Sequence, residues 1–189
     1  MPIKIFIDQG HNPSYPNGGA IGNGLREQDI TYTVGIELAA LLNENGNFDT
    51  MLSRPTPETS LGTSNATSLA ARVNMANDWG ANYFISIHTN ASYIESANGT
   101  EGYVYSTAGE AFPFAFDIVN GISETTGIAN RGVFIRPTLY VLRKTKMPAA
   151  LIELGFITNA REAELMNSFP ELFARGMYNG ILKYFDLTD

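Results

Sequence analysis

Residues 4–12 read KIFIDQGHN. Lys4–Asp8 alternates into a β-branched run, the pattern of a strand. Gly10 breaks that run, and His11, one of only two histidines in 189 residues, follows at once. A catalytically capable side chain therefore stands at the mouth of the first strand.

The remaining chain alternates short apolar strands with amphipathic helices. Residues 10–24 are rich in Gly, Asn and Pro and read as a loop. From Glu27, the apolar positions Ile30, Val34, Leu38 and Leu41 recur at helical spacing, and Asn45-Gly46 supplies a stop. Residues 49–53 are a candidate strand. Residues 56–68 (TPETSLGTSNATS) hold few large apolar side chains and are expected to form an exposed, mobile loop. A helix is expected over 69–79, a buried strand over 83–88 (YFISIH), and another strand at GYVYS, 102–106. Residues 111–125 read as helix, with Pro113 in the first turn, where a missing N–H costs little. AALIE, 149–153, is a further buried strand. The spacing of Asn159 and Glu162 is that of a capping box opening a helix, and residues 172–185 form the last one. There is no internal repeat and no linker. The prediction is a single α/β domain over residues 1–189, a twisted, mostly parallel sheet with helices on both faces.

Composition narrows the function. Apolar residues make up 44% and charged residues 16%, the balance of a soluble globular chain. No apolar stretch approaches the roughly 20 residues of a membrane span, and KIFI is too short for a secretory h-region. The absence of cysteine removes disulfides, thiolate nucleophiles and Cys-based zinc sites. A net charge of −7 argues against a nucleic-acid partner, which demands a basic face.

In open α/β sheets, ligands collect at the carboxyl ends of the strands. His11 follows the first strand, His88 ends YFISIH and Glu153 ends AALIE. Phe84, Ser86 and His88 share one strand face. Glu153 has Leu151-Ile152 before it and Leu154-Gly155-Phe156 after it, and a carboxylate among such neighbours is rarely buried unless paired, metal-bound or held for chemistry. Glu27 needs no role beyond favouring the helix dipole in a first turn. A catalytic zinc site without cysteine would use three His and Asp/Glu ligands. Two histidines and a glutamate fill it, with a second glutamate as general base. The helical H-E-x-x-H arrangement is missing, so such ligands would have to converge from separate loops.

FIDQGHN, the Gly- and Asn-rich loop leading to LREQDI, FISIHTN and VLRKTKMPAALIELGFITN together resemble the zinc-dependent N-acetylmuramoyl-L-alanine amidases, the cell-wall hydrolases of amidase type 3. The resemblance runs over nearly the whole chain in the family's order. It implies zinc ligands at His11, Glu27 and His88, a catalytic Glu153, and one Zn²⁺ ion. It implies as substrate the amide between the lactyl group of N-acetylmuramic acid and the L-alanine of the peptidoglycan stem. Three positions depart from the family's usual residues: Gln9, Asn12 and Thr31. Asn90 and Arg143 are candidate substrate contacts, equally readable as a turn-stabilising Asn and a solvated Arg. Rival readings are a zinc peptidase acting within the stem peptide and an inactive wall-binding relative. The expected setting is the cell wall, outside the cell, with the chain acting as a monomer on peptidoglycan or muropeptides. An acidic domain gains no long-range attraction to an anionic wall, so a separate wall-binding module is expected as well.

Overall fold

The computed structural model describes residues 1–187. Eight strands and six helices follow in order: β1 (Ile3–Gln9), β2 (Ile21–Gly22), β3 (Leu25–Arg26), α1 (Glu27–Asn45), β4 (Phe48–Leu52), α2 (Asn65–Trp79), β5 (Tyr83–Asn90), β6 (Thr100–Val104), α3 (Ala111–Thr126), β7 (Asn130–Ile135), α4 (Tyr140–Lys144), β8 (Ala149–Phe156), α5 (Ala160–Ser168) and α6 (Pro170–Tyr184). Six strands form one sheet in the order β4-β1-β5-β8-β6-β7, while β2 and β3 make a separate hairpin. β4, β1, β5 and β8 run parallel. β6 is antiparallel to β8, and β7 is parallel to β6.

Strand alternation sorts the core into two layers. Ile5, Ile7, Ile85, Ile87, Ala150 and Ile152 face α1, α3 and α6. Phe6, Phe84 and Leu151 face the other way, against Val73 and Ala76 of α2 and Val141 and Leu142 of α4. Helices therefore cover both faces, as a mostly parallel sheet requires. In the first layer, α3 and α6 touch backbone to backbone: a Cβ on Gly180 would overlap Asp117 O, and one on Gly121 would overlap Gly176 O. Among the described residues, no helix is long and apolar enough to cross a membrane.

Several boundaries differ from the sequence expectation for local reasons. α2 begins at Asn65 because Ser64 and Thr67 close a reciprocal capping box: Ser64 Oγ accepts from the Thr67 N–H at 3.2 Å and Thr67 Oγ1 from the Ser64 N–H at 2.9 Å. The expected loop over 56–68 is therefore shorter, and Ser68 is buried. Leu42 completes the buried stripe of α1, and Leu41 lies on its shoulder. At α5, Asn159 Oδ1 caps the Glu162 N–H, but Glu162 does not return the bond. Its buried carboxylate accepts instead from the N–H groups of Gly99 and Phe156, each at 2.7 Å, tying the loop before β6 to the end of β8. β7 and α4 were not expected from the sequence: β7 is a mostly exposed edge strand, and α4 spans only five residues.

Candidate active site

Asp8, Ser86 and His88, and Glu153 follow Phe6, Phe84 and Leu151 along the α2 side of the sheet, toward the carboxyl ends of β1, β5 and β8. Gly10 continues the ladder, its N–H donating to Ile87 O at 3.0 Å. A Cβ there would lie 2.6 Å from His88 Cε1, so only glycine lets the chain pass the imidazole. His11 then takes φ 69°, the left-handed region that a non-glycine residue adopts only when its surroundings hold it. The holder is Arg72 of α2, whose Nη2 donates to His11 O at 2.6 Å and to Asn12 Oδ1 at 3.0 Å.

The two histidine rings stand edge to face, 4.8 Å between centroids. Glu27, the first residue of α1, is 3% exposed and lies between them. His11 Nε2 is 3.1 Å from Glu27 Oε2, and His88 Nδ1 is 3.0 Å from Oε1. The same oxygens accept backbone N–H groups, Oε2 from Ala20 at 2.8 Å and Oε1 from Thr89 at 2.9 Å. Burial alone would raise this carboxyl, but the hydrogen bonds and charge of the two histidines outweigh it and hold Glu27 far below the usual carboxylate range. The three side chains offer ligand atoms within 4.8 Å of one another, a group that could hold a metal ion.

Glu153 pairs with His88 across the parallel ladder and with Glu101 across the antiparallel one. Its Oε2 is buried and has no hydrogen-bond partner. Burial, with the nearby charges of Glu27 and Glu101, pushes its carboxyl well above the ordinary value. Two neighbouring carboxyls are thus driven apart, Glu27 downward and Glu153 upward. Glu101 itself is saturated: Oε1 accepts from Asn90 Nδ2 at 2.7 Å and Tyr103 OH at 2.5 Å, and Oε2 from Arg131 Nε at 2.6 Å. Asn90 therefore stands beside Glu153, through Glu101. Arg143 is exposed on α4, without a side-chain hydrogen bond or ion pair among the described residues.

The family model for N-acetylmuramoyl-L-alanine amidase matches residues 5–183. The chain belongs to this amidase family. It is 39% identical over 190 residues to the N-acetylmuramoyl-L-alanine amidase CwlM of Bacillus licheniformis, covering 98% of this chain and 70% of that protein. It is 36% identical to a sporulation-specific N-acetylmuramoyl-L-alanine amidase of Bacillus subtilis, covering 98% and 69%. Among solved structures, the catalytic domain of CwlV from Bacillus (Paenibacillus) polymyxa superposes with a TM-score of 0.85 at 30% identity, covering 98% of this chain and 99% of that one. The CwlD amidase of Clostridioides difficile, in complex with the GerS lipoprotein, gives 0.89 at 25% identity, covering 97% and 98%.

The amidase accommodates its three unusual residues behind the site. Gln9 points away from the histidines toward α1, where a Cβ on Gly35 would overlap its Cγ. Gln9 Oε1 accepts the Arg54 N–H at 2.8 Å. Asn12 Nδ2 donates to Pro16 O and Leu61 O, fastening the His11 loop to the loop before α2. Thr31 Oγ1 donates to Gly10 O at 2.8 Å, from α1 to the turn that carries His11. Sequence reading did not single out Asp8, Arg72 or Glu101. The available signal was charge within apolar surroundings: Asp8 ends a strand, and Arg72 sits in LAARV.

Proposed function

We propose that this peptidoglycan amidase hydrolyses the bond between the lactyl carbonyl of N-acetylmuramic acid and the nitrogen of L-alanine. One Zn²⁺ is held by His11, Glu27 and His88, and Glu153 is the general base and acid. The observation that carries this reading is the convergence of two imidazoles and a carboxylate beside a buried, unpartnered carboxylate oxygen. The donor set suits zinc, and His11 Nδ1 is a second buried atom without a partner in the same cleft. When bound, zinc supplies Lewis-acid polarisation of the scissile carbonyl and the hydrolytic water.

The protein's own groups carry the proton. Glu153 Oε2 has no competing donor, so it is free to take a proton as water attacks the carbonyl carbon. The proton then passes from Glu153 to the alanine nitrogen as the C–N bond breaks. The products are a lactyl carboxylate and a free amine. Glu27, anchored by two backbone N–H groups, remains ionised throughout. Asn90, held by Glu101, is a proposed substrate contact. Arg143, exposed on α4 and unpaired among the described residues, is another. The whole chain is read as one catalytic domain acting on the cell wall. A separate wall-binding module fits relatives such as LytC of Bacillus subtilis, of which this chain covers 35%.

Digestion of a defined muropeptide tests the reaction. The expected products are the intact stem peptide with a new L-alanine amine and a sugar ending in the lactyl acid. A new amine within the stem would make the enzyme a peptidase. The metal assignment is tested separately: His88→Ala is expected to lower the zinc content from about one ion per chain to a small fraction after dialysis. Full occupancy by elemental analysis would remove His88 from the ligand set.

A further inference from the structure

We propose that Arg136 is a specificity-determining residue of this amidase, binding a free carboxylate of the stem peptide on the alanine side of the scissile bond. The inference rests on the reaction proposed above.

The candidate site itself is acidic. Glu27, Glu101 and Glu153 are grouped there, Asp8 is buried on the same sheet face, and the chain carries a net charge of −7. The cations nearest these carboxylates are already used: Arg72 pairs with Asp8, and Arg131 with Glu101. A stem peptide with free carboxylates approaches this cleft against like charge unless an unneutralised cation receives it.

Arg136 follows β7 directly, and its N–H donates to Val104 O at 2.8 Å, fixing the backbone against β6. Its guanidinium lies 5.1 Å from the Tyr103 ring centroid and 5.9 Å from that of Phe134, and the two rings are 6.5 Å apart. Stacking of this kind orients a guanidinium without consuming its hydrogen bonds. Among the described residues its side chain makes one hydrogen bond, Nη1 to Ile135 O at 3.3 Å, and no carboxylate pairs with it. Both Arg136 and Phe134 are exposed, so the positioned donors face solvent.

Tyr103 connects this cation to the reacting edge. Its ring carries Arg136 on one side, while its hydroxyl donates to Glu101 Oε1, and Glu101 is the ladder partner of Glu153. The Tyr103 ring and the Glu101 carboxylate are thus the groups that separate Arg136 from Glu153, and an extended peptide crosses such a gap at about 3.3–3.6 Å per residue. A carboxylate on the second or third stem residue therefore comes within reach when the alanine nitrogen lies at Glu153. Arg161 and Arg143, which are also exposed, have no aromatic ring stacked on them among the described residues to hold a fixed direction.

The experiment uses two soluble muropeptides, one with every stem carboxylate beyond L-alanine free and one with all of them amidated. Turnover is measured for the zinc-loaded wild type, Arg136→Gln and Arg136→Lys. Binding of both muropeptides is measured calorimetrically to Glu153→Gln, with and without Arg136→Gln. The wild type is expected to favour the free-carboxylate stem about tenfold in kcat/KM, chiefly through KM. Arg136→Gln should bring that ratio close to one with an unchanged Tm, and Arg136→Lys should fall between. Equal kcat/KM for both stems in the wild type, or an undiminished preference in Arg136→Gln, overturns the proposal. If the wild type cuts neither muropeptide, the amidase reaction falls, and the calorimetric difference still decides Arg136.

Discussion

Glu153→Gln is expected to bind as much zinc as the wild type and to cleave muropeptides about 10²- to 10⁴-fold more slowly. The amide has nearly the shape of the carboxylate, so β8 and its pairing with β5 and β6 should be unchanged. It cannot take a proton from water or return one to the alanine nitrogen. Burial and two neighbouring carboxylates already disfavour the charged form of the wild-type carboxyl, so a neutral amide is tolerated in its place. The variant should therefore be at least as stable as its parent. That combination of retained metal, retained or raised Tm and lost turnover distinguishes a proton carrier from a structural strut. Wild-type turnover of the variant on a purified muropeptide would end the assignment, and loss of zinc would move Glu153 into the ligand set.

The largest expected effect on stability is at Arg72. Its guanidinium is 1% exposed, and Nη1 donates to Asp8 Oδ1 at 2.5 Å and Gln9 O at 2.7 Å, while Nη2 reaches His11 O and Asn12 Oδ1. Arg72→Met leaves Asp8 buried with only Ser86 Oγ, at 2.7 Å, as a side-chain partner. Breaking a buried pair in this way costs roughly 3–5 kcal/mol, a Tm decrease of roughly 6–20 °C for a chain of this size. Arg72→Met combined with Asp8→Asn should recover part of the loss, because no uncompensated charge remains. Thermal unfolding at equal zinc load measures both. A single-variant Tm within a degree of wild type would contradict the role given to the pair.

The same pair sets an acid limit. Burial tends to raise the Asp8 carboxyl, but Arg72 and Ser86 outweigh it and hold it below the ordinary value. Its folded pKa is thus depressed, so its contribution to stability is complete above the unfolded carboxylate's pKa of about 3.9. It is lost as pH falls through the lowered folded value. In Arg72→Met this acid-side loss should shrink, since the cation that depressed Asp8 is gone. Arg72 also holds the His11 carbonyl in a left-handed turn, so the variant should bind zinc about 10- to 100-fold more weakly, as when support behind a ligand is removed.

How far the site could be read in advance differed residue by residue. His88 and Glu153 were legible because a strand forces alternate side chains to one face, and both end apolar runs. His11 was legible from the glycine before it. Glu27 was not: a carboxylate in a first helical turn is ordinary, and only the pairing of β5 with β1 and the turn at Gly10 bring the two histidines together on it. Gln9 reads as an anomaly two positions before His11, yet its explanation lies 26 positions later in Gly35, a distance along the chain that no local pattern spans. Glu162 looked like half of a capping box and instead bonds Gly99 and Phe156, because burial against β6 and β8 offered it stronger donors than its own helix end.

From its order of residues alone, this protein determined its alternation of strands and helices, the face on which each strand side chain points, the absence of thiolate chemistry, and the histidines and glutamate at three strand ends. These follow from periodicity and residue type, which are local. Tertiary structure alone decided that Glu27 lies between the two histidines, that Glu101 flanks Glu153 from an antiparallel strand, and that Arg72 reaches from α2 to hold His11. Each of these depends on strand order, on handedness of the crossovers, or on a backbone approach that only a glycine permits. The energies involved are pairwise terms between residues up to 61 positions apart, and a chain read one segment at a time does not contain them.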